Sequence, residues 1–239
     1  MDDRAAFRGG AITGGVAMAA RTIQVTIKAP TFTIIELEIV GTAPYVQHRF
    51  SEKAKQQMIA TQEAGSRSSS KSGRQPKDFE QVFRDATHRT SAGWAGIPTT
   101  QIRNGMISAC KVAGYVMTRA KLAIFVEPDG YDAADGTPLV RIIGTPVKNI
   151  MPARNDNGSV DMRCRPMWAQ GWSARVRIRF DADMMDASDI TNLMKRLGLQ
   201  VGIGEGRPDS KESCGLMWGL FEVRTAKKTR KGLKEAASA

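Results

Sequence analysis

The chain has 239 residues, 41% of them hydrophobic, and carries 35 Lys and Arg against 24 Asp and Glu, a formal net charge of +11. That length supports a substantial core. No stretch approaches the roughly 18 apolar residues of a membrane-spanning helix, and the positive excess favours polyanionic partners, nucleic acid first.

Residues 1–21 open with two aspartates and have a glycine-broken middle, which predicts a flexible leader rather than a secretory signal. Residues 22–28 (TIQVTIK) and 33–40 (TIIELEIV) alternate apolar and polar side chains and read as strands. In the second, Ile35, Leu37 and Ile39 take one face and Glu36 and Glu38 the other. Gly41 and Pro44 break the pattern, and Ser51 is placed to cap a helix from Glu52 to about Glu63.

The stretch 64–77, rich in serine, glycine and basic residues (Arg67, Lys71, Arg74, Lys77), is expected as a mobile loop. Asp78 then caps a helix with Phe79, Val82 and Phe83 at helical spacing, and His88 at its end suits the helix dipole. Pro98 opens a third helix, with Ile102, Met106, Ile107 and Cys110 on one side and Gly114 as its stop. Strands are expected at 121–126, 138–151 and 173–180. Asp186 or Ser188 caps a helix closed at Gly198; the glycine loop VGIGEGRPDS (201–210) and a strand at 216–223 follow.

Residues 225–239 form a basic tail containing Lys227, Lys228, Arg230, Lys231 and Lys234. The expected organisation is one α+β domain over 22–224, with a split βαβ, ferredoxin-like (RRM-like) core carrying insertions.

Three cysteines, Cys110, Cys164 and Cys214, have no CxxC spacing and no histidine nearby. Neither a disulfide framework nor a zinc site is indicated, which fits a reducing cytoplasm. No metal or cofactor is expected, and the carboxylates show no compact metal-binding spacing.

The glycine loop fails as a dinucleotide fingerprint, because it follows a helix and has Arg207 where a third Rossmann glycine belongs. A P-loop fails for want of GK[ST]. Two readings stand: a helix-to-strand turn built on glycines, or a track of backbone amides with Arg207 and Lys211 for a polyphosphate backbone. The strand at 173–180 puts Arg175, Arg177 and Arg179 on one face. These arginines either bind phosphates and bases or pair with Glu36 and Glu38 on an adjacent strand. His48, beside Gln47 and Arg49, is either a general base or a surface residue.

The segment GIPTTQIRNGMISACK (96–111) resembles the Ile-Pro-x-Ser-Ser helix start of the RAMP superfamily, the RNA-binding subunits of CRISPR effector complexes. Residues 35–44 (IELEIVGTAP) look like that superfamily's first strand and turn, and the helix–VGIGEGR–strand ending is similar to its C-terminal glycine-rich loop. The chain also resembles proteins encoded by temperate phages, a resemblance that implies a stand-alone relative rather than a CRISPR subunit. The resemblance implies a modified ferredoxin-like core that binds single-stranded RNA, often as a helical polymer of subunits. It points to Pro98, Thr99, Thr100, Arg103 and Asn104 at the helix start, and to Gly202, Gly204, Gly206 and Arg207. Threonines replace the family's serines here, and the clustered glycines are fewer than in many members.

The expected function is therefore non-catalytic binding of single-stranded RNA or DNA, with head-to-tail self-association into a homo-oligomer or helical filament. Two rivals are a metal-independent endoribonuclease using His48 and a phage structural or assembly protein.

Overall fold

In the computed structural model, which describes residues 28–50, 52–63, 77–154, 158–210 and 216–224, the alternation at 33–40 becomes β1 (Phe32–Gly41). Leu37 and Ile39 are buried and Glu36 and Glu38 exposed. β2 (Tyr45–Val46), α1 (Glu52–Glu63), α2 (Phe79–Asp85), β3 (Gly96–Pro98) and α3 (Thr99–Ala113) follow. Next come α4 (Met117–Ala123), β4 (Ile124–Glu127), β5 (Gly130–Tyr131), β6 (Pro138–Ile143), β7 (Val147–Arg154) and β8 (Val160–Trp168). β9 (Ser173–Asp181), α5 (Ala187–Arg196), a π-helical turn (Leu197–Val201) and β10 (Phe221–Arg224) complete the order. The leader 1–21, most of strand 22–28, Ser51, loop residues 64–76, Lys211, Cys214 and the tail 225–239 lie outside the described residues.

The fold is α+β, and every strand pairing is antiparallel. The larger sheet runs β10-β1-β9-β6-β3, with β4 also on β9 and β5 on β6; β2, β8 and β7 form a smaller sheet. β9 is the centre of the larger sheet because its whole length is paired with β1, from Phe32↔Asp181 to Val40↔Ser173. Its inner residues Ala174, Val176, Ile178 and Phe180 meet Ile102, Met106 and Cys110 of α3 and Ile190, Leu193 and Met194 of α5 in one core. Each fully buried aliphatic side chain there contributes about 1.5–3 kcal/mol. Tyr45 joins the two sheets, its ring 5.5 Å from both Trp168 and Trp172. Among the described residues no helix is long and apolar enough to cross a membrane.

Two caps follow the sequence closely. The Asp78 carboxylate accepts from the N–H groups of Glu80 and Gln81, and Asp186 forms a reciprocal capping box with Asp189. Gly114 ends α3 in the left-handed conformation.

Several expectations are corrected. Lys121–Ala123 finish α4 instead of opening a strand, because Ala120 and Ala123 are buried at helical spacing. The run 138–151 breaks at Gly144-Thr145-Pro146, and its halves enter different sheets. β8, not foreseen, mixes Arg163, Arg165 and Pro166 into a strand whose apolar positions are interrupted. The strand expected at 216–223 shrinks to Phe221–Arg224, since Met217 (φ 52°) turns the chain before it.

Gly198 does not close α5 either. The chain continues through the π-helical turn to Gly202. A Cβ on Gly198 would lie 2.2 Å from the carbonyl oxygen of Phe221, so glycine is needed there for the close approach of helix and strand.

Candidate functional site

α3 begins directly out of β3, with Pro98 at the capping position (φ −54°) and no side chain bonding the first amides. Pro98 and Thr99 are both buried, so they shape the helix start without facing solvent. Thr100, Asn104 and Ser108, four residues apart, share one side of the helix, with Gln101 and Gly105 beside them. Across from this row runs the glycine loop. Together Thr100, Gln101, Asn104, Gly105, Ser108, Val201, Ile203, Gly204, Arg207 and Asp209 line a cleft of ≈ 200 Å³.

The loop is held in place at both ends. Near the start of α3, the Glu205 amide donates to the Val46 carbonyl (3.0 Å). Gly204 has φ +76°, and a Cβ there would lie 2.5 Å from the Val46 oxygen and 2.7 Å from the Tyr45 ring, so only glycine fits. Two turns further along α3, the Ser108 hydroxyl donates to the Asp209 carboxylate at 2.5 Å. Between them the Arg207 guanidinium donates to the Gly204 carbonyl at 3.0 Å, half-buried.

Part of the loop's run of amides is used within the fold. The N–H groups of Gly202, Ile203, Glu205 and Asp209 donate to the carbonyls of Leu197, Gly219, Val46 and Val201. Those four amides are committed to the fold, and Arg207 adds a side chain to the cleft lining.

The structure thus brings Thr100, Asn104, Gly204 and Arg207 together, with Gly202 (φ 73°) and Gly206 (φ 68°) shaping the loop. Arg103 is turned elsewhere: its guanidinium donates to the carbonyls of Ile124 (2.8 Å) and Lys121 (2.5 Å) and lies 5.5 Å from the Phe125 ring centre. It fastens α3 to α4 and β4.

Arg175, Arg177 and Arg179 lie on the sheet face opposite the helices. Arg175 pairs with Glu36 (3.4 Å), Arg177 with Asp129 (3.1 Å) and Arg179 with Glu127 (2.8 Å). The pairing half of the sequence reading holds, with acids from β4 and the following turn that the two-strand argument left out. No surplus of positive charge remains on that row.

His48 is exposed, two residues past β2. Part of the residue stays open to solvent, but protein packed around the rest of it disfavours the charged form and lowers its pKa; Glu205 opposes this, and Arg165 and Arg163 reinforce it. His88 proves to be no helix-end residue: α2 stops at Asp85, and the His88 Nδ1 lies 2.8 Å from an Asp132 oxygen.

This contact belongs to a cluster that sequence reasoning missed. His88, Asp132 and Asp135 each place a ligand-capable atom within 4.8 Å of the others. Arg49, with its side chain 8% exposed, holds its Nε 3.5 Å from both Asp132 and Asp135. A guanidinium between two carboxylates supplies the cation that a metal would otherwise provide, so the cluster reads as an internal ion network joining three distant segments.

No protein-family model matches the chain, and no curated protein sequence matches it.

Proposed function

We propose that this chain is a non-catalytic binding protein for single-stranded nucleic acid, RNA in preference to DNA, and a stand-alone relative of the RAMP superfamily on a modified ferredoxin-like core. The observation that carries the reading is the cleft: the hydroxyl and amide row Thr100–Asn104–Ser108 faces a rigid glycine loop bearing Arg207. Hydrogen-bond donors near a helix start, beside an arginine, suit phosphate oxygens. The net charge of +11 supplies long-range attraction.

The core reading has its own support. β10-β1-β9-β4 are mutually antiparallel neighbours, α3 lies between β1 and β4 in the chain, and α5 lies between β9 and β10. That is the strand order of a split βαβ unit.

Self-association along the strand is part of the same proposal. Among the exposed apolar side chains, Phe32 and Ile34 lie at one end of β1, and Ile150, Val160 and Met162 lie on the β7–β8 hairpin. Two unlike patches on one chain suit a head-to-tail contact that leaves the assembly open.

Fluorescence anisotropy with labelled single-stranded RNA and DNA over a salt series tests the binding. Affinity should fall linearly on a log–log plot as salt rises; a flat response, or no binding to either polymer, ends the proposal. Mass photometry should show particles that grow with RNA length.

One observation favours a second reading. His48 is held toward its neutral form beside Arg163 and Arg165, the protonation state a general base for RNA cleavage requires. Cleavage of labelled RNA in EDTA by the wild type and not by His48→Ala would establish it; no cleavage by either removes it.

A further inference from the structure

Behind the cleft a chain of buried hydrogen bonds has a direction that can be worked out from its ends. The backbone N–H of His88 donates to Gln47 Oε1 at 3.1 Å. The backbone carbonyl of Gly96 accepts from Gln47 Nε2 at 2.6 Å. A backbone N–H can only donate and a carbonyl can only accept, so the Gln47 amide has one possible orientation.

The second N–H of Gln47 Nε2 then donates to the Tyr45 hydroxyl at 3.1 Å. Tyr45 and Gln47 are both fully buried. With its oxygen accepting from Gln47, the phenol turns its proton to Gln101 Oε1, 2.9 Å away. Burial of the Tyr45 ring raises its pKa and keeps it protonated. The carbonyl end of Gln101 is therefore taken, and its NH₂ end is the one left to the cleft that Gln101 lines.

We infer that Gln101 is a ligand-contacting residue of the cleft, presenting its amide NH₂ as a donor to a phosphate or base-carbonyl oxygen of the bound strand, and that Tyr45 and Gln47 are the positioning residues that hold it so. The inference rests on the proposed function. Gln101 sits beside Gly204 at the start of α3, while the acceptor Asp209 stands near Ser108, about 10 Å along the helix at 1.5 Å per residue. The cleft is thus graded, with donors at the helix start and a carboxylate at the other end. A strand would place its oxygens at Gln101 and Arg207.

The test uses the full chain and a fluorescein-labelled oligouridylate, with anisotropy read at several salt concentrations for wild type, Gln101→Leu, Tyr45→Phe and the double variant. Gln101→Leu, at a half-buried position, keeps the volume and should bind roughly tenfold more weakly, the effect of losing a hydrogen bond to a charged acceptor. Its salt slope should match the wild type, since a neutral donor releases no counterion. Tyr45→Phe should weaken binding less, and the double variant should bind as Gln101→Leu alone does, because the tyrosine acts only through the glutamine. Thermal melts by circular dichroism verify that each variant is folded. If the wild type binds and Gln101→Leu binds equally well, the inference falls while the proposed function stands. If the two losses simply add, Tyr45 acts through the fold and its positioning role is overturned. A wild type that binds no nucleic acid removes both.

Discussion

Glu36 of β1 stands opposite Arg177 of β9 in the sheet register, yet its carboxylate reaches the next arginine along, Arg175, at 3.4 Å. Arg177 is drawn away, donating to the Pro128 carbonyl at 2.9 Å and to Asp129 at 3.1 Å. Arg179 takes Glu127 at 2.8 Å and lies 4.9 Å from the ring centres of both Phe32 and Phe125. The arginine row is stitched diagonally across three elements, so its charge is spent within the sheet.

From this follows a ranking of variants. Replacing Arg175, Arg177 and Arg179 together by Ala should weaken nucleic-acid binding less than Arg207→Ala alone. The single change Arg175→Ala, in a pair that is largely solvent-exposed, should cost less than about 1 kcal/mol of stability. Arg207→Ala should reduce the salt slope of single-strand binding by about 0.7. Anisotropy titrations and urea melts measure both quantities; a larger binding loss in the sheet triple than at Arg207 would return the site to the sheet face.

His48 makes stability depend on pH in a definite direction. Its pKa is lowered in the folded chain, first by desolvation, so between that value and the unfolded value near 6.5 the unfolded chain binds more protons. Its contribution is complete above the unfolded pKa and is lost as pH falls through the folded one. Urea midpoints of wild type and His48→Gln, compared from pH 7.5 to 5, should show a steeper acid loss in the wild type. Parallel curves would mean that His48 titrates normally.

Two glycines in the helical layer should behave differently. A Cβ on Gly198 would meet the Phe221 carbonyl oxygen at 2.2 Å, a backbone atom within the sheet. One on Gly105 would meet the end of the Leu197 side chain at 2.4 Å, which can swing aside. Gly198→Ala should destabilise by about 1–3 kcal/mol through overpacking. Gly105→Ala should cost less, since Ala in a helix interior gains back about 1 kcal/mol over Gly. Denaturant midpoints order the two, and the reverse order would contradict the packing.

Arg49→Ala removes the cation between Asp132 and Asp135 and should destabilise by about 3–5 kcal/mol. It also frees His88, Asp132 and Asp135 to meet a metal. Zn²⁺ should then raise the melting temperature of the variant and leave that of the wild type unchanged. Equal stabilisation of both would show that the native cluster already takes a metal beside Arg49.

Local sequence determined a good deal. The alternation of Leu37 and Ile39 with Glu36 and Glu38 dictated a half-buried strand, and Asp78, Asp186 and Gly114 marked helix ends, because capping and left-handed turns are decided within a few residues. Thr100 and Asn104 were named through the resemblance of the helix start alone, and the fold adds Ser108 to their row. Tertiary structure decided the rest. Whether Arg175, Arg177 and Arg179 carry free charge depended on acids at positions 127 and 129, some 50 residues earlier in the chain. Arg49 meets Asp132 across 83 residues, and the orientation of the Gln101 amide is inherited through Tyr45 and Gln47 from a backbone N–H at His88. Side-chain charge and hydrogen-bond direction are set by whichever partners the fold brings within about 3 Å, and sequence spacing carries no record of such partners.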